Sequence, residues 1–130
     1  MALTVQKPRA YELPKLFDLC FRAKAALGYD EDFMQAYRRE LSFTPQDLEL
    51  THIGVAKEHG QILGVVQVRI AGHDAHLLKL FVEPGVTREG VGKRLLAWAA
   101  NISKTNGTRQ MVIADWDVLG ATGDEQSEQV

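Results

Sequence analysis

Several things are scarce in this chain, and each shortage excludes something. One cysteine, Cys20, among 130 residues rules out an intramolecular disulfide. It lies in LFDLCFRA between apolar neighbours at helical spacing, which reads as a buried structural thiol rather than a nucleophile. No stretch approaches the roughly 20 apolar residues that a membrane-spanning helix needs. The start, MALTVQKPRA, has no apolar run of the signal-peptide kind. A basic excess is missing too: 15 Lys and Arg stand against 17 Asp and Glu, for a net charge of −2. That speaks against a general nucleic-acid binder. The expectation is a cytoplasmic protein with neither a membrane nor a nucleic-acid partner.

What is present is ordinary globular material, 45% hydrophobic and 25% charged, with room for one core. Leu3 and Val5 alternate with polar residues as a short first strand would, and Pro8 closes it. Over residues 11–26, Leu13, Leu16, Phe17, Cys20 and Phe21 recur at three and four, which predicts a helix stopped near Gly28. Asp30 is placed to cap a second helix with Phe33, Met34, Tyr37 and Leu41 on its inner face. After Pro45 the period changes. THIGVAK, the turn EHGQ, ILGVVQVRI, the turn AGHD and HLLKLFV predict a three-stranded antiparallel meander ended by Pro84. Helical spacing returns at 90–104, with Val91, Leu95, Ala99 and Ile102 on one stripe, and RQMVIAD is a fifth strand. The fold class is α+β: a mixed, mostly antiparallel sheet flanked by three helices. Residues 1–118 form the domain and 119–130 a polar tail.

The informative segment is LFVEPGVTREGVGKRLLAWA. A strand runs into a loop with two glycines, Gly90 and Gly92, and then directly into an amphipathic helix. Such a turn aims backbone N–H groups at one point, at the positive end of the helix dipole. Glycines let a bulky anion approach the main chain, and Arg88, Lys93 and Arg94 add charge nearby. A pyrophosphate suits the site; an unliganded strand-to-helix turn is the bland alternative. The GxxxxGK[ST] signature is absent, and the dinucleotide fingerprint would need a third glycine and a βαβ unit.

The order of elements, and V-x-P followed by TREGVGKRLL, resembles the GCN5-related N-acetyltransferase (GNAT) family, whose cofactor motif is R/Q-x-x-G-x-G/A. Gly90, Val91 and Gly92 match G-x-G/A, while Thr87 stands where the family has Arg or Gln. The resemblance spans about residues 3–115. It implies an acetyl group moved from acetyl-CoA to a small-molecule or peptide amine, with no metal. The backbone of Leu80, Phe81 and Val82 would bond the pantetheine arm, and Arg88, Glu89, Gly90, Val91, Gly92 and Lys93 would hold the pyrophosphate. The helical pair over residues 19–41 would lie over the acceptor site, with Tyr29 and Asp30 near it.

The likeness stops after the fifth strand. The family continues with a helix bearing a Phe-Tyr pair, whose Tyr protonates the departing thiolate, and then two more strands. Here the sequence reads ADWDVLGATGDEQSEQV, and no tyrosine follows Tyr37. A domain truncated at its C-terminus is therefore expected. A shortened reading frame, a non-catalytic acyl-CoA-binding remnant and a sheet completed by a partner chain all stay open. The last would leave no exposed strand edge, which predicts a homodimer packed through the segment after Asp115. His76 is the candidate general base, on the face of Leu78 and Leu80, against the plainer role of a strand-start residue. Glu83 reads as a solvated charge, and Trp98 and Trp116 as packing rather than substrate-stacking groups.

Overall fold

The computed structural model of this chain describes residues 3–86 and 90–113. The alternation around Leu3 and Val5 produces strand β1 (Thr4–Gln6). A 3-10 turn, Ala10–Glu12, leads into α1 (Leu13–Ala25), with Pro14 in the first turn, where its missing N–H costs nothing. Leu13, Leu16, Leu19 and Cys20 are buried along its inner stripe. The second expected helix is two short ones, α2 (Glu31–Ala36) and α3 (Arg38–Leu41), broken at Tyr37. Asp30 does cap α2: its Oδ1 accepts from the Phe33 N–H at 2.8 Å. Met34 and Leu41 are buried as expected, but Phe33 is exposed and lies outside the core. A further helix, α4 (Pro45–Leu50), lies where the periodicity shows none. Its signal is Thr44-Pro45-Gln46-Asp47, in which Thr44 and Asp47 close a reciprocal capping box.

Strands β2 (His52–Glu58), β3 (Gln61–Ala71) and β4 (Asp74–Val82) form the expected antiparallel meander. His59 and Gly60 both take positive φ, 53° and 79°, in the mirror-image turn that matches strand twist. Helix α5 (Val91–Thr105) then crosses back over the sheet, and β5 (Gln110–Ile113) pairs parallel to β4. The order is β1-β2-β3-β4-β5. The sheet is mixed and mostly antiparallel, as expected; among the described residues five α-helical segments flank it rather than three.

Each face of the sheet carries its own apolar layer. Val66, Val68, Leu77 and Leu80 pack with Leu95 of α5 on one side, and Val55, Val65 and Phe81 pack with Leu16 and Leu19 of α1 on the other. Burying one such side chain is worth about 1.5–3 kcal/mol, so these layers fix the helices to the sheet.

Strand β4 is irregular at one point. Gln67 opposes Lys79 while Val68 opposes Leu77, so Leu78 is an extra residue in β4. A bulge of one residue reverses the face of every later side chain. Ala75 and Leu77 face α5 before it, and Leu80 faces α5 after it. His76 therefore shares a face with Lys79 and Phe81, toward α1, and not with Leu80 as the unbroken alternation of HLLKLFV suggests. The expected tail at 119–130, its boundary at 118, Trp116 and the dimer contact after Asp115 lie outside the described residues.

Candidate functional site

The edge of β4 and the start of α5 face the same region. The Glu83 N–H donates to the Leu63 carbonyl at 2.8 Å, which makes that opposed pair a hydrogen-bonded one. Such pairs alternate along an antiparallel ladder. Phe81, opposite Val65, thus spends its N–H on β3, whereas Leu80 and Val82 turn theirs to the β5 side. Among the described residues the ladder on that side ends at Leu77 and Ile113. Two amides two residues apart are presented there, as a linear amide-bearing ligand requires.

At the other half of the site Gly90 holds φ 100°, a conformation that costs a residue with a Cβ dearly. A Cβ built at Gly90 would meet no atom of the other described residues within 4 Å. The Gly90 carbonyl accepts from the Arg94 N–H at 2.8 Å, the first bond of α5. The amides of Val91, Gly92 and Lys93 then make up the first turn, which has no intrahelical acceptor. Val91 and Gly92 are buried and Lys93 is exposed. Arg94 is directed elsewhere, its Nη2 donating to the Leu3 carbonyl at 3.1 Å. Arg88 and Glu89 lie outside the described residues. What brings α5 so close is Gly64 beneath it, where a Cβ would lie 2.8 Å from Leu95 Cδ1 and 3.0 Å from the Phe81 carbonyl oxygen.

On the α1 face, sequence reasoning missed the central residue. Lys79 Nζ donates to Gln67 Oε1 at 3.0 Å and to the Ser42 carbonyl at 3.4 Å, and sits 4.5 Å from the Phe43 ring centre. Gln67 is buried; its Nε2 donates to Thr51 Oγ1 at 3.1 Å, and that hydroxyl donates to the Asp47 carbonyl at 2.6 Å. Burial pushes the Lys79 pKa down, against the opposing pull of Cys20, Asp47 and Glu40. The same burial pushes the Cys20 thiol up to about 12. A lysine in a strand reads as solvated; only the bulge and the short helix α4 reveal that it turns inward. Ser42 and Phe43 also line an open groove of roughly 1030 Å³ between α1 and the α2–α4 segment.

His76 is half-buried, opposite Arg69 on β3 and Val112 on β5. Glu83 is no solvated charge: Arg22 Nε and Nη2 grip its two oxygens at 2.9 and 2.6 Å, tying α1 to the end of β4. Tyr29 stacks on Phe33 with centroids 4.3 Å apart, and the Lys24 ammonium lies 5.0 Å from the Tyr29 ring. Trp98 packs its ring over Gly54, a structural role. Among the described residues no group of three or more His, Cys, Asp or Glu could hold a metal, and no helix is long and apolar enough to cross a membrane.

The model of the acetyltransferase (GNAT) family matches residues 11–119. Among solved structures, the chain is similar to paia N-acetyltransferase from Thermoplasma acidophilum in complex with coenzyme A. Identity there is 20% over 87% of this chain and 79% of that one, with a TM-score of 0.74. A GNAT family acetyltransferase from Brucella melitensis in complex with acetyl-CoA gives 21% identity, 87% and 76% coverage and a TM-score of 0.66. A GCN5-related N-acetyltransferase from Rhodopseudomonas palustris gives 15%, 92% and 77%, and 0.73. No curated protein matches the chain in sequence.

Proposed function

Because this chain belongs to the acetyltransferase (GNAT) family, we propose that it transfers an acetyl group from acetyl-CoA to an amine acceptor. The observation that carries the reading is the pairing of two amides on the β4 edge, at Leu80 and Val82, with the left-handed turn at Gly90 that starts α5. A pantetheine arm is a chain of amides, and it adds to a strand edge as another strand would. The pyrophosphate then meets the amides of Val91, Gly92 and Lys93, which have no acceptor within the helix, at the positive end of α5. Phe81, with its N–H turned to β3, contributes packing rather than a hydrogen bond.

In the transfer the acceptor nitrogen forms a bond to the acetyl carbon as the thioester C–S bond breaks, and one proton leaves the nitrogen. His76, on the α1 face just before the bulge, is the residue proposed to take that proton. The acceptor lies in the groove between α1 and the α2–α4 segment.

Acetyl-CoA titration by calorimetry, followed by thiol release with a panel of amines, tests the reading. Binding with thiol release is the expected result, and Gly92→Asp should weaken binding by well over tenfold. Binding without release would instead mark a non-catalytic acyl-CoA-binding module. His76→Ala is expected to slow thiol release at least tenfold while leaving acetyl-CoA affinity unchanged. Equal rates of release in the variant and wild type would remove His76 from the chemistry.

A further inference from the structure

The groove beside α1 has a distinctive mixture of walls. Leu13, Phe17 and Phe43 give it an apolar floor, while Arg38, Arg39 and Glu40 stand on its rim. At roughly 1030 Å³ it falls at the upper end of the small-ligand range. The guanidinium of Arg38 lies over two rings of α1, 5.0 Å from the Phe17 centroid and 5.4 Å from that of Phe21. A guanidinium seated over rings makes no hydrogen bond to a carbonyl or carboxylate through that contact, so its N–H donors stay available to a ligand. Neither Arg38 nor Arg39 is ion-paired among the described residues. Behind the floor, the Lys79 ammonium sits against Phe43 and bonds the Ser42 carbonyl. On the rim two guanidinium groups thus stand against one carboxylate, Glu40, while Lys79 behind the floor answers to Asp47 and Glu40.

We infer that this groove recognises an amphipathic acceptor bearing a carboxylate, which Arg38 grips through the N–H donors of its ring-seated guanidinium. The assignment of that ligand as the acetyl acceptor rests on the acetyl-transfer reading. Contact with the Phe17 and Phe21 rings restrains the Arg38 side chain before any ligand arrives, so less side-chain freedom is lost on binding. A fork of parallel N–H donors then matches the two carboxylate oxygens, and the apolar floor takes the body of the molecule. An amine without a carboxylate meets the same positive field with nothing to offset it. Arg38 is in this scheme a specificity residue, and Lys79 sets the field from inside.

The test uses two probes with one skeleton, 4-phenylbutyrate and 4-phenylbutan-1-ol, titrated into the full chain and followed by amide NMR. The carboxylate is expected to bind at least tenfold more tightly, with shifts centred on residues 38–43. Arg38→Gln should erase that preference, and Arg38→Lys should restore only part of it, because an ammonium has charge without the fork. Arg38 is exposed, so neither change removes core packing. Raising the salt on wild-type protein should narrow the preference independently of any variant. Equal affinity for the two probes, shifts centred elsewhere, or a preference that survives Arg38→Gln would overturn the inference. Thiol release from acetyl-CoA with 4-aminobutyrate against butylamine is read separately. If release fails with both amines while the NMR preference holds, the acetyl-transfer reading falls and the carboxylate site stands.

Discussion

Lys79 holds a charge in the interior, and its partners decide what that costs. Replacing it by Met leaves Gln67 Oε1, in a residue only 2% exposed, without its donor. An unsatisfied buried acceptor costs about 1–3 kcal/mol, partly offset by lifting the desolvation of the ammonium. Gln67→Leu alone strips the ammonium of its nearer acceptor. The pair Lys79→Met/Gln67→Leu should therefore cost less than the sum of the singles, by about 1 kcal/mol in urea unfolding; strict additivity would mean that the contact carries nothing. The pH dependence has a definite sign. Burial lowers the Lys79 pKa from 10.5, so the native state releases this proton before the unfolded chain does. The penalty is in force below the native pKa and is relieved as pH rises through it toward 10.5. Across that window wild type should gain on Lys79→Met by about 1.4 kcal/mol for each pKa unit of depression. Cys20, fully buried with its thiol pushed up to about 12, offers almost no thiolate near neutrality. At pH 8 Ellman's reagent should leave native protein unmodified and titrate one thiol in guanidinium; prompt reaction of the folded chain would contradict the burial.

At the scale of elements, α5 is placed by what lies under it. Gly64→Ala would bring a Cβ to 2.8 Å from Leu95 Cδ1, 3.3 Å from Val91 Cγ1 and 3.0 Å from a backbone oxygen that cannot swing aside. Overpacking of this kind costs about 1–3 kcal/mol. It also lifts the first turn of α5 away from the β4 edge, so acetyl-CoA affinity should fall along with the melting temperature. Loss of stability with unchanged affinity would show that the turn is positioned by something else. Helices α1 and α5 are legible in the sequence because each carries a long stripe at helical spacing, and the meander because its turns hold Gly60 and Gly72 between β-rich runs. Helix α4 is not, since six residues are too few for a period and its capping box has to be noticed alone. Nor is the bulge. Leu77 and Leu78 are equally apolar, and nothing in LeuLeu says that one is extra, which is why simple alternation puts His76 on the wrong face. The strand-to-helix turn proposed to hold the cofactor can be read as a turn because Gly90 and Gly92 stand between a β-rich run and a helical stripe. Arg38 and Lys79 cannot, because their meaning comes from rings and carbonyls distant in sequence.

For the molecule as a whole, the sheet order follows the chain order, yet the pairings differ greatly in what they demand of it. Strands β2, β3 and β4 join through tight turns, whereas β1 must find β2 across α1 to α4. Its pairing is three residues long, Thr4 with Lys57 through Gln6 with Val55, reinforced by the Arg94 bond to the Leu3 carbonyl. Closing a loop of roughly 50 residues costs about 3 kcal/mol in chain entropy before those few contacts repay it. In kinetic terms the first strand of the sequence is the last to join the sheet and the first to leave it. Native-state hydrogen exchange should register Gln6, whose opposed pair with Val55 is a hydrogen-bonded one, opening at a lower free energy than Val66 of β3; equal protection would make the sheet one cooperative unit. Made on a ribosome well before β2, the residues of β1 would then wait, unpaired, for the strand that completes them.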